Sequence, residues 1–160
     1  MNLLTPLAKA CAILAGVLLT FITLMTCVSL IGRNTIGQTL VGDFELTGVA
    51  AGAAISLFLP WCQIRRGHII VDFFTAKASE GTRNGLDRIG LLCTALLFGV
   101  LAWRTGIGGW DAWETKSGTM MLGFPEWLVY LVMTPALALT TAIALWQAAM
   151  GHTASLEHPA

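Results

Sequence analysis

Residues 64–73 read IRRGHIIVDF and stand between two long apolar stretches. Arg65 and Arg66 end the apolar run before them, and the chain turns apolar again within three residues. Over the whole chain 56% of the residues are hydrophobic and 11% are charged, whereas about 25% are charged in ordinary soluble domains. The mean hydropathy is +0.74. A soluble protein of 160 residues would lack the polar side chains to cover itself, so the composition predicts an integral membrane protein.

Four apolar stretches are long enough, or nearly so, to cross a bilayer, which takes about 20 residues of helix. They predict an all-α integral membrane protein with a single membrane domain over residues 1–160. The predicted spans are residues 10–31, 46–64, 89–109 and 124–148. The net charge of zero indicates no nucleic-acid partner.

The charges between the spans predict the orientation. The predicted loop at 65–88 is rich in basic residues, whereas the loop after the first span balances Arg33 against Asp43 and Glu45. Because positive charge marks the cytoplasmic side, we expect loop 65–88 and both termini in the cytoplasm. Arg65 and Arg66 then form the cytoplasmic stop of the second span.

Apolar residues continue into this loop at helical spacing. Ile69, Ile70, Phe73 and Phe74 would share one face, with Asp72 away from it. This pattern favours a short amphipathic helix lying in the membrane interface, entered through a turn at Gly67. A plain loop with some apolar residues is the alternative.

Small and aromatic residues predict how the helices pack and sit in the bilayer. Gly48, Gly52 and Ser56 recur every four residues, and such spacing lets helix backbones approach closely in lipid. We expect a packing face there, against another helix of this chain or a different subunit. Five tryptophans near the span ends predict an aromatic belt: Trp61, Trp103, Trp110, Trp113 and Trp127.

Ionisable side chains at membrane depth are functional candidates. Here they are Arg33, Glu45 and Arg104, all near the predicted outer edge. A salt bridge from Glu45 to one of the arginines is one hypothesis, and snorkelling to the headgroups is the other. No histidine lies within a span and no CxxC pair occurs, so we predict no haem, no metal site and no other cofactor.

The motifs around these residues resemble the small membrane subunit (the Q-type, DctQ-like small permease) of tripartite ATP-independent periplasmic (TRAP) transporters. Arg33 follows the first span, Glu45 opens the second, and Phe44 stands where the family commonly has tryptophan. The fourth span opens with Pro125-Glu126-Trp127, similar to the family's Pro-x-Trp-x-Tyr. The most specific run is Arg65, Arg66, Gly67, His68, Ile69, Ile70, Val71 and Asp72.

The resemblance implies a non-catalytic subunit of a sodium-driven importer of organic acids in a bacterial or archaeal inner membrane. Its implied partners are a large transport subunit, for which it acts as a scaffold, and a periplasmic substrate-binding protein. The outer loops would offer the binding protein charged contacts from Asp43, Asp111, Glu114 and Lys116.

A different class of protein remains as the alternative interpretation. A four-helix membrane anchor of a redox enzyme would hold a quinone near the central loop, where His68 with Arg65 or Arg66 would bind a quinone oxygen.

Overall fold

The computed structural model describes residues 4–37, 41–65 and 80–150. These residues form four long α-helices, each long and apolar enough to cross a membrane, which confirms the predicted all-α class and the number of candidate spans within the described residues. The helices are α1 (Leu4–Thr35), α2 (Asp43–Ile64), α3 (Glu80–Glu114) and α4 (Trp127–Met150).

All four helices extend beyond the predicted spans at one end or both, and α4 begins at Trp127, three residues after the predicted start of its span. The largest extension is at α3, which begins at Glu80, inside the segment assigned to the 65–88 loop. α2 continues through Pro60 to Ile64, and α4 continues through Pro135. The proposed interfacial helix at 69–74 lies outside the described residues.

The helices lie side by side in the order α1, α2, α4, α3. α2 packs against α1 and α4, while the extended contacts of α3 within the described residues are with α4. α1 buries every seventh residue, at Ala8, Ala15, Ile22 and Ser29, so a single seam faces its neighbour. Ala15, Leu57 and Ala136 form the small core where α1, α2 and α4 meet.

Close approach of α3 to α4 depends on glycines of α3. A Cβ on Gly99 would lie 3.5 Å from Thr141 Cγ2, and one on Gly106 would lie 3.6 Å from Thr134 Cγ2. At Gly109 the helices are closer still, since a Cβ there would lie 2.8 Å from Tyr130 Cβ. Such small-residue packing takes the place of the hydrophobic effect between helices in lipid.

The seam between α2 and α4 is closed at one end by two glutamines. Gln63 Nε2 donates to Gln147 Oε1 at 2.9 Å, and Gln147 Nε2 donates to the Gln63 carbonyl oxygen at 3.0 Å. Gln63 is buried, so these bonds join two helices where lipid offers no competing partner. The opposite end of the seam, where α2 and α4 begin and α1 and α3 end, is called the hairpin end below.

Candidate functional site

A tight hairpin joins α3 to α4 at residues 117–126. The Thr119 amide donates to the Phe124 carbonyl at 3.0 Å, and the Glu126 amide donates to the Ser117 carbonyl at 3.2 Å. Thr119 Oγ1 also accepts from the Phe124 amide at 3.1 Å. Gly123 has a φ of 62°, a left-handed conformation that glycine adopts without a Cβ penalty. The hairpin therefore holds its own shape.

Glu45, in the first turn of α2, binds the tip of this hairpin. Its carboxylate accepts the Met121 amide at 2.9 and 3.2 Å and the Leu122 amide at 3.2 Å. Hydrogen bonds to an ionised carboxylate are about twice as strong as neutral ones. The start of α2 is thus tied to the connection that precedes α4.

Two further contacts complete the hairpin end. Ser29 of α1 donates its hydroxyl to Asp43 Oδ2 at 2.5 Å, which joins α1 to the start of α2. Gly42, with a φ of 79°, leaves room for the Leu122 side chain, which occupies the position where a Cβ would project. The α2–α4 seam therefore has polar bonds at both of its ends.

Exposed apolar side chains lie at the hairpin end. The side chain of Met120 is fully exposed, Phe44 is 88% exposed, and Val41 and Met121 are also exposed. Exposed apolar side chains are present along all four helices, so those at the hairpin end continue the apolar surface of the chain.

The salt bridge proposed for Glu45 is not what the structure shows. Its carboxylate is occupied by backbone amides of the hairpin, and it forms no ion pair with Arg33 or Arg104 within the described residues. Both arginines are exposed. The turn at residues 119–123 brings the hairpin amides to the first turn of α2. These amides, and not the arginines, are therefore the partners of the Glu45 carboxylate.

The face of Gly48, Gly52 and Ser56 does not pack on another helix of the described chain as one stripe. A Cβ on Gly48 or Gly52 would meet nothing within 4 Å. Ser56 is buried and donates its hydroxyl to the Gly52 carbonyl at 2.9 Å, a bond within the helix. We call the surface of Gly48 and Gly52 the open face of α2.

The four residues expected to meet the binding protein all lie at the hairpin end. Asp111 and Glu114, in the last turn of α3, and Lys116 just after it are exposed. Asp43 is half-buried, with its carboxylate on Ser29. The structure thus leaves three of the four side chains open to a partner.

The remaining motif residues divide between the two ends of the molecule. At the hairpin end, Pro125 pairs with Gly118 in an isolated β-bridge, and Trp127 packs edge-on against Trp113 at 4.8 Å. At the other end, the Arg65 guanidinium lies over the Trp61 ring at 5.0 Å. The rest of the central motif lies outside the described residues, at Arg66, Gly67, His68 and Asp72, so the quinone hypothesis has no geometry to test it.

Within the described residues, no group of three His, Cys, Asp or Glu side chains is placed to hold a metal ion. Ser29, Asp43 and Glu45 at the hairpin end form hydrogen bonds within the chain. These bonds join α1 to the start of α2, and the start of α2 to the hairpin that precedes α4.

Sequence reasoning did not find the Gln63–Gln147 pair or the close approach at Gly109. Both left a signal in the sequence. The glutamines are polar residues at the ends of apolar runs, and α3 carries small residues at helical spacing from Ala95 through Gly99 and Gly106 to Gly109. No feature of the sequence marks the hairpin amides that bind Glu45, because every residue except proline carries a backbone N–H.

We expect replacement of Glu45 by leucine to release the hairpin from α2. Without the carboxylate, the Met121 and Leu122 amides lose their acceptor, and their hydrogen exchange should speed up by about an order of magnitude. Glu114→Leu is the matched control, because it removes an exposed acid at the same end of the molecule. Equal exchange in both variants would show that the carboxylate does not hold the hairpin.

The sequence profile described as "Tripartite ATP-independent periplasmic transporters, DctQ component" matches residues 22–152. No curated protein and no solved structure matches the chain. The profile covers most of the chain, including the end of α1, the whole of α2 with Glu45, and the hairpin. On this match the chain belongs to the DctQ component family of the tripartite ATP-independent periplasmic transporters.

Proposed function

We propose that this TRAP small permease subunit is a non-catalytic membrane scaffold for the large transport subunit of a sodium-driven importer of organic acids. The scaffold role is supported by the bonds at both ends of the α2–α4 seam. A helix tied at both ends keeps its depth and its orientation while a neighbouring subunit moves.

The proposed membrane is the bacterial or archaeal inner membrane, with the hairpin end in the periplasm and both termini in the cytoplasm. The basic residues between α2 and α3 support this orientation, because they are costly to translocate. The hairpin end would then present Asp111, Glu114 and Lys116, together with Asp43, to the periplasmic substrate-binding protein.

The observation that carries the proposal is the open face of α2. Gly48 and Gly52 have open space where their side chains would project, although α2 is held between α1 and α4. In lipid, glycines at this spacing allow the backbone of another helix to come close. We assign this face to a helix of the large subunit.

The test is a pair of leucine substitutions at Gly48 and Gly52 in the full-length chain, co-expressed with its transporter partners. No described atom blocks the first carbon of either new side chain, so the chain itself should fold and insert. We expect the double variant to lose co-purification of the large subunit and sodium-dependent uptake of the organic acid.

Gly16→Leu is the matched control, since it places leucine at an equally open glycine of α1. We expect the control to keep the large subunit. Retention of that subunit by the double variant would place the contact on another face, and co-purification of a haem or flavin enzyme with the unaltered chain would refute the transporter role.

A further inference from the structure

Arg104 is an exposed cation of α3, near the predicted outer edge of the third span. It lies within the candidate span Gly85–Glu114, six residues before Trp110, which is about 9 Å along the helix. Its side chain is exposed, and no acidic side chain pairs with it within the described residues. A guanidinium near the headgroup level attracts anionic groups there.

A shallow apolar groove leads from Arg104 along α3 toward the opposite end of the helix. It has a volume of about 730 Å³ and runs between Arg104 and Leu92, with Leu145 of α4 on one side. Gly99 and Ala95, which lack large side chains, form part of its floor. Among the residues that line the groove, all in the described parts of α3 and α4, Arg104 alone is charged.

The length of the groove corresponds to one leaflet. Arg104 is twelve positions after Leu92, a rise of about 18 Å along the helix, and half of the hydrocarbon core is about 15 Å thick. Trp103, beside Arg104 in the groove wall, is a residue type that favours the headgroup level. A phospholipid has a charged phosphate and apolar acyl chains. Arg104 suits the phosphate, and the groove has the length and the apolar lining that suit one acyl chain.

We propose that Arg104 and this groove bind one anionic phospholipid of the leaflet at the hairpin end. The guanidinium binds the phosphate with two parallel hydrogen bonds, and one acyl chain lies along the groove past Leu96. An anionic headgroup is favoured over a zwitterionic one, because the latter brings its own cation next to Arg104. The site is independent of the open face of α2, which belongs to a different helix.

The experiment counts retained lipid. The full-length chain, purified with its accompanying subunits, is washed free of loosely bound lipid and exposed to phosphatidylglycerol or phosphatidylcholine. Native mass spectrometry then gives the lipid bound per complex. We expect one phosphatidylglycerol above the level of phosphatidylcholine, and a loss of about fivefold in Arg104→Gln.

Two pairs of variants isolate the two parts of the site. Arg33→Gln removes another exposed arginine that lines no part of the groove, and it should leave retention unchanged. Leu96→Trp fills the groove with an apolar side chain and should lower retention, whereas Leu97→Trp on the adjacent exposed position should not.

Three results would overturn the proposal. Equal retention of the two lipids by the unaltered complex would show no headgroup recognition. Unchanged retention in both Arg104→Gln and Leu96→Trp would show that the lipid binds elsewhere. Loss of the large subunit from Arg104→Gln with lipid retention intact would show that Arg104 meets a carboxylate of that subunit.

Discussion

Gly109→Ala is expected to destabilise the protein by about 1–3 kcal/mol, because the new Cβ would lie 2.8 Å from Tyr130 Cβ. Tyr130 Cβ is fixed to the α4 backbone and cannot turn away, so the two helices must separate or slide. The change should lower the midpoint of thermal unfolding in detergent, followed by circular dichroism. It should also loosen the edge-on contact between Trp113 and Trp127, which lies one turn further toward the hairpin.

Gly99→Ala is the matched control on the same helix. Its Cβ would lie 3.5 Å from Thr141 Cγ2, an ordinary van der Waals contact. Alanine in a helix interior is favoured over glycine by about 0.5–1 kcal/mol, so this variant should be neutral or slightly more stable. A similar loss in both variants would mean that α3 and α4 are not closest at Gly109.

Gly42→Ala is expected to have the second large effect, because two costs fall on one residue. The φ of 79° is strained for alanine, at about 1–3 kcal/mol, and the Cβ would overlap the Leu122 side chain. Leu122 must then move, and its amide is one of the donors to Glu45. We expect lower thermal stability together with faster hydrogen exchange at the hairpin tip.

Gly37→Ala separates the two costs. Gly37 also has a positive φ, of 72°, but a Cβ there would meet nothing within 4 Å. Gly37→Ala should therefore show the backbone cost alone, without faster exchange at Leu122. If the hairpin amides respond equally to both substitutions, the contact between Gly42 and Leu122 does not position the hairpin.

Hydropathy was sufficient to predict the four spans, because a bilayer demands an apolar run of fixed length from each helix. Hydropathy did not show which faces of the helices pack against one another. Leu14 and Leu24 of α1 are exposed on the protein surface while Ala8 and Ala15 are buried, so many large apolar side chains of α1 point away from the core. In lipid, packing favours small side chains, and the apolar ones meet acyl chains or another subunit.

The packing face predicted at Gly48, Gly52 and Ser56 stays a prediction, because its partner was left open between another helix of this chain and a different subunit. Gly48 and Gly52 satisfy the spacing but are open, whereas Gly109 of α3 makes the tight contact. Spacing shows that a helix can be approached, and it does not show which neighbour comes near. The resemblance to TRAP small subunits, which depended on Glu45 and the central motif, is confirmed by the family match.

The order α1, α2, α4, α3 means that two helical pairs, one from each half of the chain, meet chiefly where α2 contacts α4. During synthesis α1 and α2 are made first and can pack against each other. The other packed face of α2 is buried only after α4, the last helix, has been made. Each pair can settle in the bilayer before the pairs join. A gene divided between α2 and α3 would therefore encode two fragments that each contain a complete helical pair, and their reunion would depend on Gln63, Gln147, Glu45 and the hairpin.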